Sequence, residues 1–311
     1  MKPQEAKRLA ELAGCTGDQW RAKSIQSLWA GMGHIYELQC GDQRIVAKVV
    51  KLPTRCDSVG DRRKAKSYEC EAAFYRDGTA TQLLDAGVVV PRPLHVEARV
   101  DGVTIVMSHL DGRPGAFDRR GTEAALASLA RLHACFWGPR ADEAVAGGLQ
   151  EQGTMWYLDT RQDEYDSMPT CGWEGRLRLA ARAIDARLKA DRMQSVVHGD
   201  PKDANFYFAS DGTPQLYDFQ YAGKACPAKD VAYCLCCGSS AWDKADALAR
   251  GYHRDLSAAL ASRGEAPPPV DAFLQTLELA YADLGRWMSG WGWWGNDLEP
   301  RIKRLLDRLD G

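Results

Sequence analysis

Three polar residues near position 200 have the types and spacing of a group that could bind a phosphate and a metal ion. Asp200 and Asn205 stand five positions apart on what we expect to be a tight loop that leads into a strand-like run. Asp218 stands at the end of the next strand-like run. Phosphoryl transfer requires a carboxylate that accepts a hydroxyl proton and hard oxygen ligands for Mg²⁺. We therefore expect Asp200 to be the catalytic base, and Asn205 and Asp218 to be the metal ligands.

Neighbouring polar residues admit more than one role. Lys202 lies between Asp200 and Asn205, where it would either contact the transferred phosphate or face the solvent. His198 is expected to make structural hydrogen bonds rather than to act as a base. Asp230 is expected to anchor the start of the following helix. Asp and Asn also cap turns, so a purely structural role for Asp200 and Asn205 is the alternative.

A lysine inside an apolar strand pattern is the second feature with chemical meaning. Lys48 lies in Arg44–Val50, where an unpaired lysine is costly to bury. Glu71, on a predicted helix, is the natural ion-pair partner, and Glu69 is the second choice. This lysine would bind the phosphates of a nucleotide. Alternatively, it would lie on an edge strand and reach the solvent.

Two glycines precede the Lys48 strand. Gly31 and Gly33 form a G-x-G motif between two strand-like runs, Leu28 to Tyr36. Glycines at these positions would let backbone N–H groups approach phosphate oxygens. The same pair is also common in ordinary hairpin turns, so both interpretations stay open.

Hydrophobic periodicity predicts the elements that must position these residues. Residues 65–77 read as a helix, and the pattern from residue 121 onward is mainly helical, with Thr122 as a candidate N-cap. The strand-like runs are 27–39, 43–50, 102–109, 206–209 and 215–217. We therefore expect an α+β fold of two lobes, a β-rich N-lobe at 1–110 and a mainly helical C-lobe at 111–311, joined near Leu110–Gly115.

The central motifs resemble a known superfamily. The run HGDPKDANFYF, residues 198–208, and the following YDFQ, residues 217–220, are similar to the kinase catalytic loop H-x-D-x-x-x-x-N and its Asp-Phe-Gly motif. With Gly199 and Gln220 at the variant positions, the chain resembles the aminoglycoside phosphotransferase and choline kinase superfamily. The longer run to VAYCL at 231–235 is most similar to its ecdysteroid-kinase-like branch.

This resemblance, which covers most of 27–240, implies a protein-kinase-like fold and two cofactors, ATP and Mg²⁺. Lys48 would pair with Glu71 in the family's Glu-x-x-Phe-Tyr pattern. The run Thr104–Leu110 resembles the hinge strand, which implies adenine contacts with the backbone near Ser108 and Leu110. The N-lobe would bind the nucleotide, and the C-lobe would hold the catalytic loop and a pocket for a small molecule with a hydroxyl group.

Two aromatic segments are candidates for the acceptor pocket. They are Trp287–Asp297 and Met155–Arg161, the second followed by Asp163, Glu164 and Asp166. Aromatic rings and carboxylates could hold a cationic or ring-shaped acceptor. Individually, however, such tryptophans more often pack in a core, and such acidic runs more often lie in the solvent.

The overall composition points to a soluble chain without a polyanionic partner. A net charge of -2 gives no reason to expect binding to nucleic acid or to an anionic membrane. The N-terminus lacks the apolar core of a signal sequence, so we expect a cytoplasmic location. The ten cysteines are irregularly spaced, and we expect free thiols, including Cys234, Cys236 and Cys237 as buried packing residues.

Two other functions compete with that of a small-molecule kinase. A protein kinase is disfavoured because no Ala-Pro-Glu motif follows Asp218. An inactive nucleotide-binding scaffold is disfavoured because Lys48, Asp200, Asn205 and Asp218 are all present. Steroid, sugar, aminoglycoside and amino-alcohol acceptors fit the motif equally well, and so do ATP and GTP; the sequence sets no oligomeric state.

Overall fold

An antiparallel sheet of five strands forms most of the first lobe. The computed structural model describes residues 3–15, 20–28, 31–53, 55, 57–115 and 117–310. The strands are β1 Trp20–Ser27, β2 Gly33–Cys40, β3 Gln43–Lys51, β4 Pro93–Arg99 and β5 Gly102–Ser108, in the order β1-β2-β3-β5-β4. Strand β5 is buried along nearly its whole length, whereas β1 at the edge is largely exposed. The adjacent strand β3 therefore places Lys48 near the protected centre of the sheet.

Three helices accompany this sheet: α1 Pro3–Leu12, α2 Val59–Arg76 and α3 Thr79–Asp85. Helix α2 begins with a capping box, in which Ser58 and Asp61 satisfy each other's backbone N–H groups. On its buried face, Phe74 stacks on Phe219 with ring centroids 3.8 Å apart. The helix that carries Glu71 is thereby packed against the segment that follows the hairpin of the second lobe.

The second lobe is mainly helical. Its helices are α4 Arg119–Cys135, α5 Pro139–Ala146, α6 Gln162–Ser167, α7 Gly172–Ala190, α8 Ala228–Tyr233, α9 Ala245–Ala261, α10 Val270–Trp291 and α11 Glu299–Asp310. Two small sheets accompany them: β6 Arg113–Pro114 with β8 Phe206–Phe208 and β9 Pro214–Leu216, and β7 Ser195–Val197 with β10 Gly223–Ala225. Strands β7 and β8 hold the two ends of the loop that contains Asp200.

A hydrophobic core extends through both lobes and confirms the predicted helical stripes. The buried stripe residues are Leu126, Leu129, Leu132 and Phe136, then Leu177, Ala181, Ile184 and Leu188, then Phe273, Leu277, Tyr281, Leu284 and Met288. The expected α+β architecture, with a β-rich N-lobe and a helical C-lobe, is confirmed. Within the described ranges, no helix is long and apolar enough to cross a membrane.

The sequence pattern missed parts of the N-lobe. The run 27–39 is not one strand: it contains the end of β1 and most of β2. Strand β4 was not predicted, and α2 begins six residues before the predicted start at 65. These differences share a cause, because edge strands and capped helix ends carry few of the apolar residues on which periodicity depends.

The predicted cap of α4 is wrong. Asp118 is the N-cap, and its Oδ1 accepts a hydrogen bond from the Gly121 N–H at 2.8 Å. Thr122 lies inside the helix, where its buried hydroxyl donates to the Phe117 carbonyl at 3.0 Å. The residues that follow Asp118 are polar rather than apolar, so hydrophobic periodicity could not indicate that the helix starts there.

The expectation of free thiols is wrong for one pair of cysteines. Cys15 and Cys40 form a disulfide bond with a Cα–Cα distance of 5.9 Å, which ties the chain after α1 to the end of β2. Cys234 and Cys236 are free and buried, and Cys237 is free and half-buried, in agreement with the packing role predicted for this group. A pairing between residues 25 positions apart depends on the β1–β2 hairpin, which the sequence pattern did not resolve.

We expect Cys40→Ser to lower the free energy of unfolding by about 3 kcal/mol, because the bridge restricts the unfolded chain. Urea denaturation checks the change, with Cys171→Ser, an exposed free cysteine, as the matched control. A reducing agent should lower the stability of the wild type and leave the Cys40→Ser variant unchanged. Alkylation of Cys15 and Cys40 in the unfolded, unreduced protein would contradict the pairing.

Candidate active site

Asp200 lies at the centre of the candidate site and is only 4% exposed. Its Oδ2 accepts hydrogen bonds from Lys202 Nζ at 3.0 Å and Asn205 Nδ2 at 2.9 Å, whereas its Oδ1 has no partner among the described residues. Burial raises the pKa of Asp200; the positive charge of Lys202 opposes this rise, and the negative charge of Asp218 adds to it. An enclosed carboxylate oxygen without a partner is suited to accept a hydroxyl proton.

Asn205 faces Asp200 through its amide group. The side-chain Nδ2 donates to the backbone oxygen of Asp200 at 2.7 Å and to its Oδ2 at 2.9 Å. A 3₁₀ turn, Asp203–Asn205, brings the two residues together and explains why a spacing of five is needed. With its nitrogen committed to Asp200, the amide oxygen of Asn205 is the atom left for a metal ion.

A buried carboxylate fixes the backbone of this loop. Asp230 accepts hydrogen bonds from the N–H groups of His198 at 2.7 Å and Gly199 at 3.0 Å. Its Oδ2 also lies 3.1 Å from Nε2 of His133, whose Nδ1 is 2.7 Å from the Tyr252 hydroxyl. These hydrogen bonds show that Asp230 anchors the catalytic loop, whereas the sequence analysis expected it to anchor the start of its own helix. The sequence did not indicate His133 and Tyr252, because both residues are far from the loop along the chain.

His198 makes the structural contacts expected of it. Its Nε2 lies 3.0 Å from the Tyr217 carbonyl, and its Nδ1 lies 3.3 Å from the backbone N–H of Asp200. These contacts fit an imidazole that donates from Nε2 and accepts at Nδ1. Gly199 follows in the left-handed region, with φ 86°, and a Cβ there would stand 2.2 Å from the Tyr221 carbonyl oxygen. This close approach accounts for glycine at the variant position of the motif.

Lys48 is buried and forms two ion pairs. Its Nζ lies 2.5 Å from Glu71 Oε2 and 3.2 Å from Asp218 Oδ1. Burial favours the neutral amine, but the charges of Asp218 and Glu71 outweigh it and raise the pKa of Lys48. Glu71 is thus the partner, whereas the alternative, Glu69, is exposed. The lysine joins the N-lobe sheet, helix α2 and the metal-ligand candidate of the C-lobe.

Asp218 has an unusual backbone conformation. Its φ of 67° lies in the left-handed region, which few residues other than glycine, asparagine and aspartate adopt. Burial acts to raise the pKa of Asp218, but the adjacent Lys48 lowers it overall. The side chain is nevertheless 32% exposed, so one side of the carboxylate faces the space between the lobes. Strained backbone of this kind often occurs at functional sites.

This cluster is completed by Gln220, the variant position of the second motif, and by Lys64, which the sequence did not single out. Gln220 Nε2 donates to Asp218 Oδ1 at 2.8 Å, and Lys64 Nζ donates to Gln220 Oε1 at 3.1 Å. Burial lowers the pKa of Lys64. Lys64 lies seven positions before Glu71, which is two helical turns, so it lies on the same face of α2. That spacing was the available signal for Lys64.

The donor atoms fit a hard divalent cation. Lys48 and Gln220 both occupy Oδ1 of Asp218, which leaves Oδ2 as its ligand atom, and Asn205 offers an amide oxygen. The described residues contain no group of three or more His, Cys, Asp or Glu side chains placed to bind a metal. One carboxylate and one amide oxygen suit Mg²⁺, which usually takes its remaining ligands from water and substrate phosphates.

The glycine motif and the hinge strand flank the Lys48 strand. A Cβ at Gly33 would lie 2.0 Å from the Val49 carbonyl oxygen, so glycine is required by strand packing, whereas Gly31 faces open space with φ 68°. Trp29 and Ala30 of the motif lie outside the described residues. At the end of β5, the Ser108 N–H and hydroxyl are both bonded to the backbone of Arg92. Adenine contacts with the backbone near Ser108 and Leu110 stay a prediction.

The tryptophans of the two aromatic segments differ in their exposure to solvent. Trp156 and Trp287 are buried and stacked on each other with centroids 6.2 Å apart, which confirms core packing for these two. Trp291 is 63% exposed, and Arg161 lies under both Trp287 and Trp291, at 5.0 and 5.8 Å from their ring centroids. Trp293 is also exposed and donates to Glu174 at 3.1 Å. The exposed rings are thus the ones left as pocket candidates.

Comparison with known proteins identifies the family. Residues 35–273 match the family described as "Phosphotransferase enzyme family". The chain belongs to this family. The match confirms the superfamily that the motifs resemble, and the ecdysteroid-kinase-like branch stays a prediction.

Individual relatives are more distant. A homoserine kinase from Acidiphilium cryptum (strain JF-5) is 31% identical over 194 residues, which are 55% of this chain and 58% of that kinase, so the match spans little more than half of this relative. An amicoumacin kinase solved with AMP-PNP and Ca²⁺ has a TM-score of 0.62 at 14% identity, over 100% of this chain and 93% of its own. A choline kinase from Streptococcus pneumoniae has a TM-score of 0.53 at 12% identity, over 99% of each chain. At these identities the two structures establish the shared fold.

We expect Asp230→Asn to lower the free energy of unfolding by about 3 kcal/mol, because it removes a charged acceptor from a buried network of three hydrogen bonds. Urea denaturation provides the measurement. Asp255→Asn, at an exposed position of α9, is the matched control and should change stability by less than about 0.5 kcal/mol. Equal stability of the two variants would show that Asp230 does not anchor the loop.

Proposed function

We propose that this protein is a kinase that transfers the γ-phosphoryl group of ATP, bound with Mg²⁺, to a hydroxyl group of a small molecule. One observation carries the proposal: Asp200 is enclosed, its Oδ2 is held by Lys202 and Asn205, and its Oδ1 has no partner among the described residues. A hydroxyl group of an acceptor would supply the missing hydrogen bond. The base would then be aligned with the proton that it must accept.

The surrounding residues have charges that suit the other reactant. Lys48 and Glu71 form the ion pair that would place the lysine at the α- and β-phosphates. Mg²⁺, when bound, would offset negative charge on the phosphates, and Asn205 and Asp218 would hold it through oxygen atoms. Lys202, about one-third exposed, would release Asp200 and contact the transferred phosphoryl group.

A small molecule is the acceptor class with the most support. The relatives and structural neighbours described above are kinases of homoserine, amicoumacin and choline. The segment after Asp218 also leads directly to Asp230, which is occupied in anchoring the loop. This short connection leaves little chain for the long activation segment of a protein kinase.

We expect Asp200→Asn to bind Mg²⁺-ATP as well as the wild type does, and to lose at least about 100-fold in turnover, because it lacks the proton acceptor. The assay is transfer of labelled phosphate from ATP to a metabolite extract, with product detection by mass spectrometry. Asp203→Asn, an exposed carboxylate of the same loop, is the matched control. Turnover near that of the wild type would show that Asp200 is not the base.

The same variant should gain stability. Burial raises the pKa of Asp200, so the folded protein holds this proton more tightly than the unfolded chain does. As the pH rises from the pKa of Asp200 in the unfolded chain to its higher pKa in the folded protein, the free energy of unfolding therefore falls. The loss is complete at any pH above both pKa values. At pH 7 the asparagine variant should be more stable by about 1 kcal/mol. The difference should shrink as the pH falls through the acidic range.

We expect Asp218→Ala to abolish the Mg²⁺ dependence of ATP binding, because it removes the carboxylate ligand. Wild-type protein at 100 times the dissociation constant of Mg²⁺-ATP should gain about 2.7 kcal/mol of stability, and thermal shift against Mg²⁺ concentration measures this gain. Asp211→Ala, in the exposed hairpin turn, is the control. An unchanged Mg²⁺ titration in Asp218→Ala would rule out its role as a metal ligand.

A further inference from the structure

A short segment before α6 is attached directly to the candidate active site. The Met155 N–H donates to the Gly199 carbonyl at 3.2 Å, and the Thr154 N–H donates to the Tyr221 carbonyl at 3.1 Å. Thr154 has φ 89°, which a residue other than glycine rarely adopts. These contacts fix the start of the segment 154–161 beside the Asp200 loop. They also determine where Arg161, at its end, can lie.

Arg161 is an enclosed cation in this segment. It is 3% exposed, its Nε donates to the Met155 carbonyl at 2.8 Å, and its Nη1 donates to Glu164 Oε1 at 2.8 Å. Its guanidinium plane faces the rings of Trp287 and Trp291. Its Nη2 makes no hydrogen bond to the described residues. The guanidinium of Arg161 is therefore fixed in position, and its Nη2 is able to donate to a bound molecule.

A second guanidinium approaches from the other lobe. Arg63 of α2 donates through Nη1 to the Thr160 carbonyl at 3.0 Å, next to Arg161 in the chain. Within the described ranges, no carboxylate forms an ion pair with Arg63. Burial lowers the pKa of Arg161, and the positive charge of Arg63 lowers it further, as expected of like charges in proximity. Glu164 forms an ion pair with Arg161, whereas Arg63 has no carboxylate partner among the described residues.

Both arginines lie near Tyr221, whose carbonyl oxygen closely approaches Gly199 of the catalytic loop. Burial raises the pKa of Tyr221, the charges of Arg63 and Arg161 oppose that rise, and the charges of Asp200 and Asp218 add to it. The phenol therefore lies within electrostatic reach of the arginines on one side and of the two aspartates on the other. An uncompensated positive charge in a partly buried position is costly unless an anion is bound to it.

We propose that the acceptor carries an oxyanion group in addition to its hydroxyl, and that Arg63 and Arg161 bind this group. The inference rests on the proposed function, because it concerns the acceptor of the same site. Guanidinium groups bind carboxylate and phosphate oxygens through paired, charge-assisted hydrogen bonds. The oxyanion would fix one end of the acceptor at the arginines and direct its hydroxyl toward Asp200. Because Arg63 belongs to the N-lobe, acceptor binding would also bridge the two lobes.

The first test separates acceptors by charge. A metabolite extract is divided on a strong anion exchanger at about pH 10.5, where most amines are neutral and carboxylates and phosphates are retained. The wild-type protein with labelled ATP and Mg²⁺ is then supplied with each fraction. We expect label transfer only with the retained fraction. Activity that survives phosphatase treatment of this fraction identifies a carboxylate, and activity lost with that treatment identifies a phosphate ester.

The second test uses the arginine itself. Arg63→Gln should raise the KM for the active fraction about 10- to 100-fold, the effect of losing one charge-assisted contact, and should leave the KM for ATP unchanged. Arg62→Gln, the adjacent and exposed arginine of α2, is the matched control and should behave as the wild type. Arg63→Lys, which keeps the charge, should recover part of the affinity.

The outcomes distinguish this inference from the function on which it rests. Label transfer only with the unretained fraction overturns the oxyanion proposal and leaves the kinase proposal standing. A change in the KM for ATP rather than for the acceptor in Arg63→Gln also overturns it, because the arginine would then bind the nucleotide. Transfer with neither fraction overturns both proposals.

Discussion

The hydrogen bonds of one buried carboxylate hold the candidate active site together. Asp230 is fully enclosed and accepts from two consecutive backbone N–H groups, those of His198 and Gly199, and from the imidazole of His133. A carboxylate can be buried only when its oxygen atoms accept hydrogen bonds. Asp230 therefore depends on the loop conformation that presents these N–H groups, and the loop conformation depends on Asp230. Asp200 directly follows His198 and Gly199, so its backbone position depends on that conformation.

The second constraint is electrostatic and links the lobes. Lys48 divides its charge between Glu71 on α2 and Asp218 on the C-lobe, while Gln220 connects Asp218 to Lys64 on the same helix. The carboxylates provide the negative charge that the buried lysine requires. A triphosphate would take over that role, which would free Asp218 for a metal ion. Under the proposed function, these ion pairs would hold the lysines in place for the phosphates.

The sequence predicted those parts of the site that depend on local spacing. The five-residue interval from Asp200 to Asn205 matches one turn and a 3₁₀ helix, and the hairpin brings back Asp218. These relations depend on one turn and one hairpin. The pairing of Lys48 with Glu71 joins a strand to a helix; it was expected because a buried lysine needs an opposite charge and because Glu71 stands in the family's Glu-x-x-Phe-Tyr pattern.

The parts that the sequence did not predict depend on contacts between distant segments. His133 and Asp230 are 97 positions apart, and Arg63 meets the Thr160 carbonyl at the same separation. Neither pair has a pattern of spacing that periodicity could detect. The Cys15–Cys40 bridge was missed for a related reason, because it needs the β1–β2 hairpin, and β1 is an exposed edge strand with little apolar character.

The left-handed backbone of Asp218 has an evolutionary consequence. Among residues with a side chain, asparagine and aspartate adopt this conformation most readily, and of these only aspartate brings a negative charge. If Asp218 is a metal ligand as proposed, a drift from aspartate to asparagine would satisfy the backbone and weaken metal binding. Descendants of this lineage would then lose the proposed activity while keeping an intact fold. A well-folded homologue would be no guarantee of an active one, and the residue at this single position would be the first to inspect.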